Sequence, residues 1–447
     1  VSSSERENRA KTYDYYGASG VIDKIDGFLF DKTLLLIGED GANLINRSTP
    51  IAFLAHGKYW VNNHAHVIDT THPELVTYLA LFINAISLEP YVTGTAQPKM
   101  NQAKLNSIVI ALPPLAEQSR IVTRVEELMR LCDALEAKGK LEAAQHAQLV
   151  GTLLGTLTAS TTPDALAAHW QRVAQHFDLL LDRPQAIDAL EQTLLQLAVR
   201  GLLVPQDPTD EPASVLLQKI RAEKDRLITE GKIKRDKPLP PIADEEKPFE
   251  LPVGWEWVRW ANIAMKIGDI DHKMPSEAKD GVPYVSPRDF YGTNEIDFDG
   301  AKKIAYSDYV ELASKIRPEV DDLIYPRYGT IGVVRKVTTD RPFLASYSCA
   351  VIKLLPGFIE PDYQYLFSVS GCAKAQAASA TNKTTQPNVG LKSIQEFLVP
   401  LPPLPEQSRI VTRVTALRRL CADLRQRLAE RQSVQARLAE ALVDSVA

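Results

Sequence analysis

Apolar residues step by four and three through Ile410, Val414, Leu417, Cys421, Leu424 and Leu428, a stripe along one face of a helix. Beyond Pro405 neither proline nor glycine interrupts the chain as far as Val446, so the pattern predicts one helix of roughly 60 Å at 1.5 Å per residue. An equivalent stripe runs through Ile121, Val125, Leu128, Cys132 and Leu135. A Pro-Pro pair precedes each copy, and Glu117 or Glu406 in the first turn complements the positive end of the helix dipole. Gly139, Gly151 and Gly155 fall inside the first copy. At about 1 kcal/mol each relative to alanine, they predict a bend or break there.

The two stripes belong to a repeat. Pro113-Pro114-Leu115-Ala116-Glu117-Gln118-Ser119-Arg120-Ile121-Val122-Thr123-Arg124-Val125 recurs as Pro402-Pro403-Leu404-Pro405-Glu406-Gln407-Ser408-Arg409-Ile410-Val411-Thr412-Arg413-Val414, with only Ala116 changed to Pro405. The offset is 402 minus 113, or 289 residues, far beyond a solenoid period, so a large unit is duplicated. Polar positions recur as faithfully as apolar ones. Packing constrains exposed polar residues weakly, and two copies of one partner explain their retention. Glu117, Gln118, Arg120, Arg124, Glu406, Gln407, Arg409 and Arg413 are therefore the candidate partner-binding residues.

Upstream of each stripe lies a segment rich in Val, Ile, Tyr and Phe with scattered Gly and Pro, which predicts mixed strand and loop. These segments have diverged, yet Gln97-Pro98 still aligns with Gln386-Pro387, and Leu36 to Gly41 with Ile324 to Gly329. The second segment opens with Leu251-Pro252-Val253-Gly254-Trp255-Glu256-Trp257; the first has no counterpart before Val1 and is expected to lack its beginning. Between them, Pro184 to Leu203 predicts a helix with Ile187, Leu190, Leu194, Leu195 and Leu197 on its apolar face and Gly201 capping its end. Lys232 to Lys247, with three prolines and mixed charge, predicts an exposed linker and a boundary near residue 250. The resulting division is 1–112, 113–250, 251–401 and 402–447, and the fold class is α+β.

Composition adds bounds. With 447 residues, 45% apolar and 24% charged, the chain has room for two or more packed domains. No apolar run approaches a membrane span and no signal core opens the chain, so a cytoplasmic protein is expected. Cys132, Cys349, Cys372 and Cys421 form no C-x-x-C pair and are read as reduced, mostly buried thiols. A net charge of -5 means that any nucleic-acid contact comes from local patches.

The doubled P-P-L-x-E-Q helix opening, the W-x-W at Trp255 to Trp257, the turn Tyr325-Pro326-Arg327-Tyr328-Gly329-Thr330-Ile331-Gly332 and the Gln-Pro loops resemble the specificity subunits of type I restriction-modification enzymes. That resemblance implies two mixed α/β target-recognition domains separated by two long helices forming an antiparallel coiled coil, in a pseudo-two-fold repeat. It implies double-stranded DNA with a bipartite site, two modification (methyltransferase) subunits docked on the helices, and restriction/translocase subunits reached through the complex. It places S-adenosylmethionine, ATP and Mg on those partners, with no cofactor, metal or catalytic residue in this chain and no membrane partner. The residues agree as far as they go: neither a G-x-x-x-x-G-K-[ST] phosphate loop nor an amino-methyltransferase Pro-Pro-Tyr/Phe motif is present.

Base reading in the major groove takes Arg, Asn and Gln on loops or helix ends, with Lys and hydroxyls on phosphate. In the second segment this selects Lys383, Thr384, Thr385, Gln386 and Asn388; Arg327, Tyr328 and Thr330 beside Gly329; and Arg288 after the strand-like Val282 to Val285. In the first it selects Asn43, Asn46 and Arg47, with Thr95, Gln97 and Lys99, although Glu39 and Asp40 oppose a phosphate role. Tyr16 and Ser19 lie in a further loop, and Asn63 in the Asn62-Asn63-His64-Ala65-His66 cluster, where DNA or core hydrogen bonding is preferred to metal. A solvated turn is the competing reading for Lys383 to Asn388, and a turn flanked by core tyrosines for Tyr15 to Gly20. The competing function is a coiled-coil scaffold joining two identical protein partners without DNA recognition.

Overall fold

A computed structural model of the chain describes residues 1, 3–7, 9–94, 97–160, 162–270, 274–382 and 387–445. Two compact units divide at residues 143 and 144.

In the first unit the apolar run Leu34 to Ile37 forms the centre of a three-stranded antiparallel sheet, Ala52–Ala55, Leu34–Gly38 and Ala65–Ile68. Both its faces are covered, which is why the run does not alternate with polar residues. Leu35 and Ile37 pack under the helix Pro73–Ala85 with Val76, Ala80 and Ile83, while Leu34 and Leu36 meet Tyr59 and Val61. Tyr59 and Val61 come from a second sheet, ordered Gly20–Ile25, Tyr13–Gly17, Lys58–Val61 and Phe30–Asp31, in which Tyr13–Gly17 pairs in parallel with Lys58–Val61.

The second unit repeats the device. Leu323–Pro326 lies between Arg335–Lys336 and Cys349–Leu354, with Ala264–Gly268 beyond. Leu323 and Tyr325 face the core around Trp260, and Ile324 faces the opposite core with Val351 and Phe343. Leu398–Leu401 pairs with Glu256–Arg259, so the W-x-W segment enters the unit as a strand.

The predicted helix at Pro184 runs to Val199, and its predicted apolar face is buried. The chain leaves it through Gly201 at φ 71°, with Leu202 N–H donating to the Leu197 carbonyl at 2.9 Å. A side chain at Gly201 would also meet Pro252 and Trp255, so two constraints select glycine. The boundary expected near residue 250 does not separate compact bodies. Val199, Leu216, Ile220 and Leu227 share one core with Val258 and Trp260, and the buried Arg259 side chain ties the proline-rich linker down through the Pro240 carbonyl and Glu246 carboxylate.

The first long helix extends unbroken over Leu115–Thr158, correcting the expected break. Gly139, Gly151 and Gly155 carry ordinary helical backbone, and strong helix formers around them outweigh their cost. The second spans Leu404–Asp444. Its stripe is covered by the helix Pro184–Val199 and by Val150, Leu154 and Leu157, the last turns of the first helix. Farther on, Val434, Leu438 and Leu442 are exposed, as are Leu128, Leu131 and Leu135 on the first helix. Cys132 is exposed, whereas the other three thiols are buried. No helix among the described residues is long and apolar enough to cross a membrane.

Candidate nucleic-acid interface

Each unit brings the loop after its central strand against its Gln-Pro loop, using the same two backbone bonds. In the first unit Gly41 N–H donates to the Pro98 carbonyl at 2.9 Å and Met100 N–H to the Glu39 carbonyl at 2.7 Å. In the second, Gly329 N–H donates to the Pro387 carbonyl at 3.4 Å and Val389 N–H to the Arg327 carbonyl at 2.9 Å. Gly41 and Gly329 take φ of 105° and 72°, left-handed values that let the backbone turn back onto the partner loop.

Two more loops join the first-unit cluster. Glu39 N–H donates to the His64 carbonyl, and Asn62 N–H to the Tyr16 carbonyl, gathering residues 16–19, 39–41, 62–64 and 97–99 at one end of the sheets. Ser19, Asn63, Gln97 and Lys99 are exposed there. Tyr16 is half-buried, stacked on Phe53 and edge-on to Tyr59, and burial raises its hydroxyl's pKa. The two acids that opposed a phosphate role are each paired: Lys99 Nζ lies 3.1 Å from Glu39, and His64 Nδ1 lies 2.6 Å from Asp40. His66 Nε2 sits 2.8 Å from the Met100 carbonyl, so both histidines of the cluster serve its hydrogen bonding.

Asn43 and Arg47 differ from expectation. The Asn43 amide braces its own turn, accepting from Ser48 Oγ and Thr49 N–H and donating to the Thr49 carbonyl. The Arg47 guanidinium caps the helix Pro73–Ala85 by donating to the Ile83 and Ile86 carbonyls. Both side chains hold the fold in place; Asn46 beside them is exposed.

In the second unit Arg327 is 8% exposed and inward-facing, correcting its picture as a projecting guanidinium. It ion-pairs with Asp269, donates to the Val389 carbonyl at 3.2 Å and lies over the Tyr328 ring. It therefore fixes the two loops to each other. Tyr328 is half-buried, edge-on to Tyr347, and bridges Asn388 through the backbone; Thr330 and Gly329 are exposed beside them. Arg288 is exposed on a short turn whose Asp289 carboxylate accepts from Ser286 N–H and Oγ. The loops at 286 and 327 meet through residues 346–348: Ser346 N–H donates to the Val285 carbonyl and Arg327 N–H to the Ser348 carbonyl. Thr95, Lys383, Thr384, Thr385 and Gln386 lie outside the described residues. Sequence reasoning missed Asp269 and Tyr347. Asp269 stands 58 positions from Arg327 in the chain, and no local pattern marks either residue.

The repeated helix openings divide into two groups. Gln118, Glu406 and Gln407 are buried, at 2%, 1% and 0% exposure, correcting their reading as surface residues. Gln118 Nε2 donates to the Pro113 carbonyl and Gln407 Nε2 to the Pro402 carbonyl, one joint made twice. Ser119 and Ser408 likewise donate to Glu74 and Glu360. Glu406 accepts from Trp255 Nε1 at 2.9 Å and Gln206 Nε2 at 3.1 Å, and burial raises its pKa. Arg409 pairs with Asp210 at 2.6 Å. Glu117, Arg120, Arg124 and Arg413 remain exposed.

Comparison with known proteins supplies the family. The model for the type I restriction modification DNA specificity domain matches residues 1–146 and 252–431. The chain is 36% identical over 368 residues to the type I restriction enzyme EcoAI specificity subunit of Escherichia coli, covering 80% of this chain and 61% of that protein. It is 36% identical over 380 residues to the EcoEI specificity subunit of the same species, with the same coverages. The chain thus spans about three-fifths of the length of these curated relatives. Among solved structures, one described as the structural basis underlying complex assembly and conformational transition of the type I R-M system aligns at TM-score 0.48 and 17% identity, over 92% of this chain and 80% of that one. The matched model spans both units and most of the chain: the protein belongs to the family of type I restriction-modification DNA specificity domains.

Proposed function

We infer that the chain is the DNA-reading subunit of a type I-like restriction-modification complex, each unit contacting one half of a split duplex site through its loop cluster. The observation that carries this is the same pairing of a glycine turn with a Gln-Pro loop in both units, framed by side chains that differ between them. Equal scaffolds with unequal rims suit an asymmetric bipartite sequence. Ser19, Asn63, Gln97 and Lys99 in one cluster, and Arg288, Thr330 and Asn388 in the other, supply groups that pair with base edges and phosphates.

The two long helices act as an antiparallel pair that spaces the units and docks modification subunits. The shared apolar cluster of Val150, Leu154 and Leu157 with Cys421 supports the pairing, and the exposed Arg120, Arg124 and Arg413 support docking. In this reading the chain recognises and does not catalyse. S-adenosylmethionine, ATP and Mg serve the methyltransferase and restriction/translocase partners.

The test is retention of bipartite duplex by the chain assembled with a methyltransferase subunit. The logarithm of the binding constant is expected to fall linearly with log salt concentration as phosphate contacts release counterions. Absence of salt-dependent binding by the assembled complex overturns the reading.

A further inference from the structure

In the second unit the strand Leu398–Leu401 is buried because Glu256–Arg259 pairs with it, in the register Leu398 to Arg259 and Leu401 to Glu256. One residue before that pairing, Trp255 delivers its indole N–H to the buried Glu406 carboxylate. At the offset of the repeat, Val109-Ile110-Ala111-Leu112 stands where Leu398-Val399-Pro400-Leu401 does, and Glu117 where Glu406 does.

The frame around this stretch is built alike in both units. Tyr78 Oη donates to the Ala111 carbonyl at 2.6 Å, as Tyr363 Oη does to the Pro400 carbonyl at 2.6 Å, and the Gln118 and Gln407 joints follow two residues later. The surfaces nevertheless differ in exposure. Leu398, Val399 and Leu401 are at 3%, 0% and 0%, whereas Val109, Ile110 and Leu112 are at 82%, 39% and 63%. Leu115 is exposed as well, and the Glu117 carboxylate faces solvent. Residues 109–112 lie in no strand, and an exposed apolar stretch of this kind is a template for strand addition.

We propose that residues 109–112 together with Glu117 form a docking site for an extended polypeptide strand that carries a tryptophan immediately before its paired residues, the chemistry of Leu251–Arg259. The strand pairs antiparallel with 109–112, buries Val109, Ile110 and Leu112, and its indole N–H donates to Glu117. A charged receptor for the indole gives the site selectivity over an arbitrary apolar strand, because charge-assisted hydrogen bonds exceed neutral ones.

A synthetic peptide spanning the sequence 250–261 tests this on the full chain, read by hydrogen exchange at residues 109–112. Saturable protection of those amides is expected, with affinity falling about tenfold when the tryptophan matching Trp255 becomes alanine, and equally for Glu117→Ala with the native peptide. Urea unfolding of the Glu117→Ala chain without peptide shows that the fold survives. No protection at about 1 mM peptide, equal binding of the alanine peptide, or protection that appears with chain concentration alone overturns the proposal; the last outcome assigns the surface to a second copy.

Discussion

The Arg327 guanidinium bridges the Asp269 carboxylate and the Val389 carbonyl, so one side chain anchors the Gln-Pro loop of the second unit to the end of the central strand. Asp269→Ala leaves that partly buried cation without its carboxylate. The expected outcome is a loss of about 3 kcal/mol in urea unfolding, with weakened recognition confined to one half-site. Glu406 makes a pH prediction of unusual sign. Its folded pKa is raised above the ordinary 4.5 by burial, so ionisation penalises the folded state. Its contribution to stability is fully present below that value and is lost as pH rises through the raised folded one. The stability of the native chain minus that of Glu406→Gln, followed by urea midpoints, is therefore expected to fall as pH increases from about 4.5. A difference that grows with pH contradicts the assignment. Neither residue's role was legible in the sequence. Arg327 looked like a projecting reader, and Glu406 like a surface contact, because their partners Asp269 and Trp255 lie 58 and 151 positions away.

Elements with strong local signals were read well from the sequence. The Pro184 helix ends at the glycine that the sequence marks, because αL capping and close packing both act through Gly201 itself. The long helices start at the marked Pro-Pro pairs. The expected break failed because the propensity cost of isolated glycines is small beside the cooperativity of a 44-residue helix. Nothing lies within 4 Å of where a side chain would stand at Gly139. Gly139→Ala is accordingly expected to stabilise the helix by up to about 1 kcal/mol, seen as a raised unfolding midpoint. A lowered midpoint shows that this glycine has a packing role.

At the scale of the whole molecule, the repeat at 289 residues told most about organisation, because near-identical helix openings contrast with divergent loops. It did not reveal where the chain divides. Helices between the two copies contribute Leu216 and Ile220 to the second unit's core, and their amphipathic pattern alone does not name the surface they cover. The loop pairing was legible as two short alignments, whereas the side chains that close it were not. In the proposed division of labour each loop cluster serves one half-site. The most direct test is selection of bound sequences from randomised duplex by the chain mixed with a methyltransferase subunit, comparing the native chain with Thr330→Ala/Asn388→Ala. A two-part motif is expected from the native complex and, from the variant, loss of sequence preference in one part with the other intact. Equal erosion of both parts, or a single undivided motif from the native complex, contradicts it.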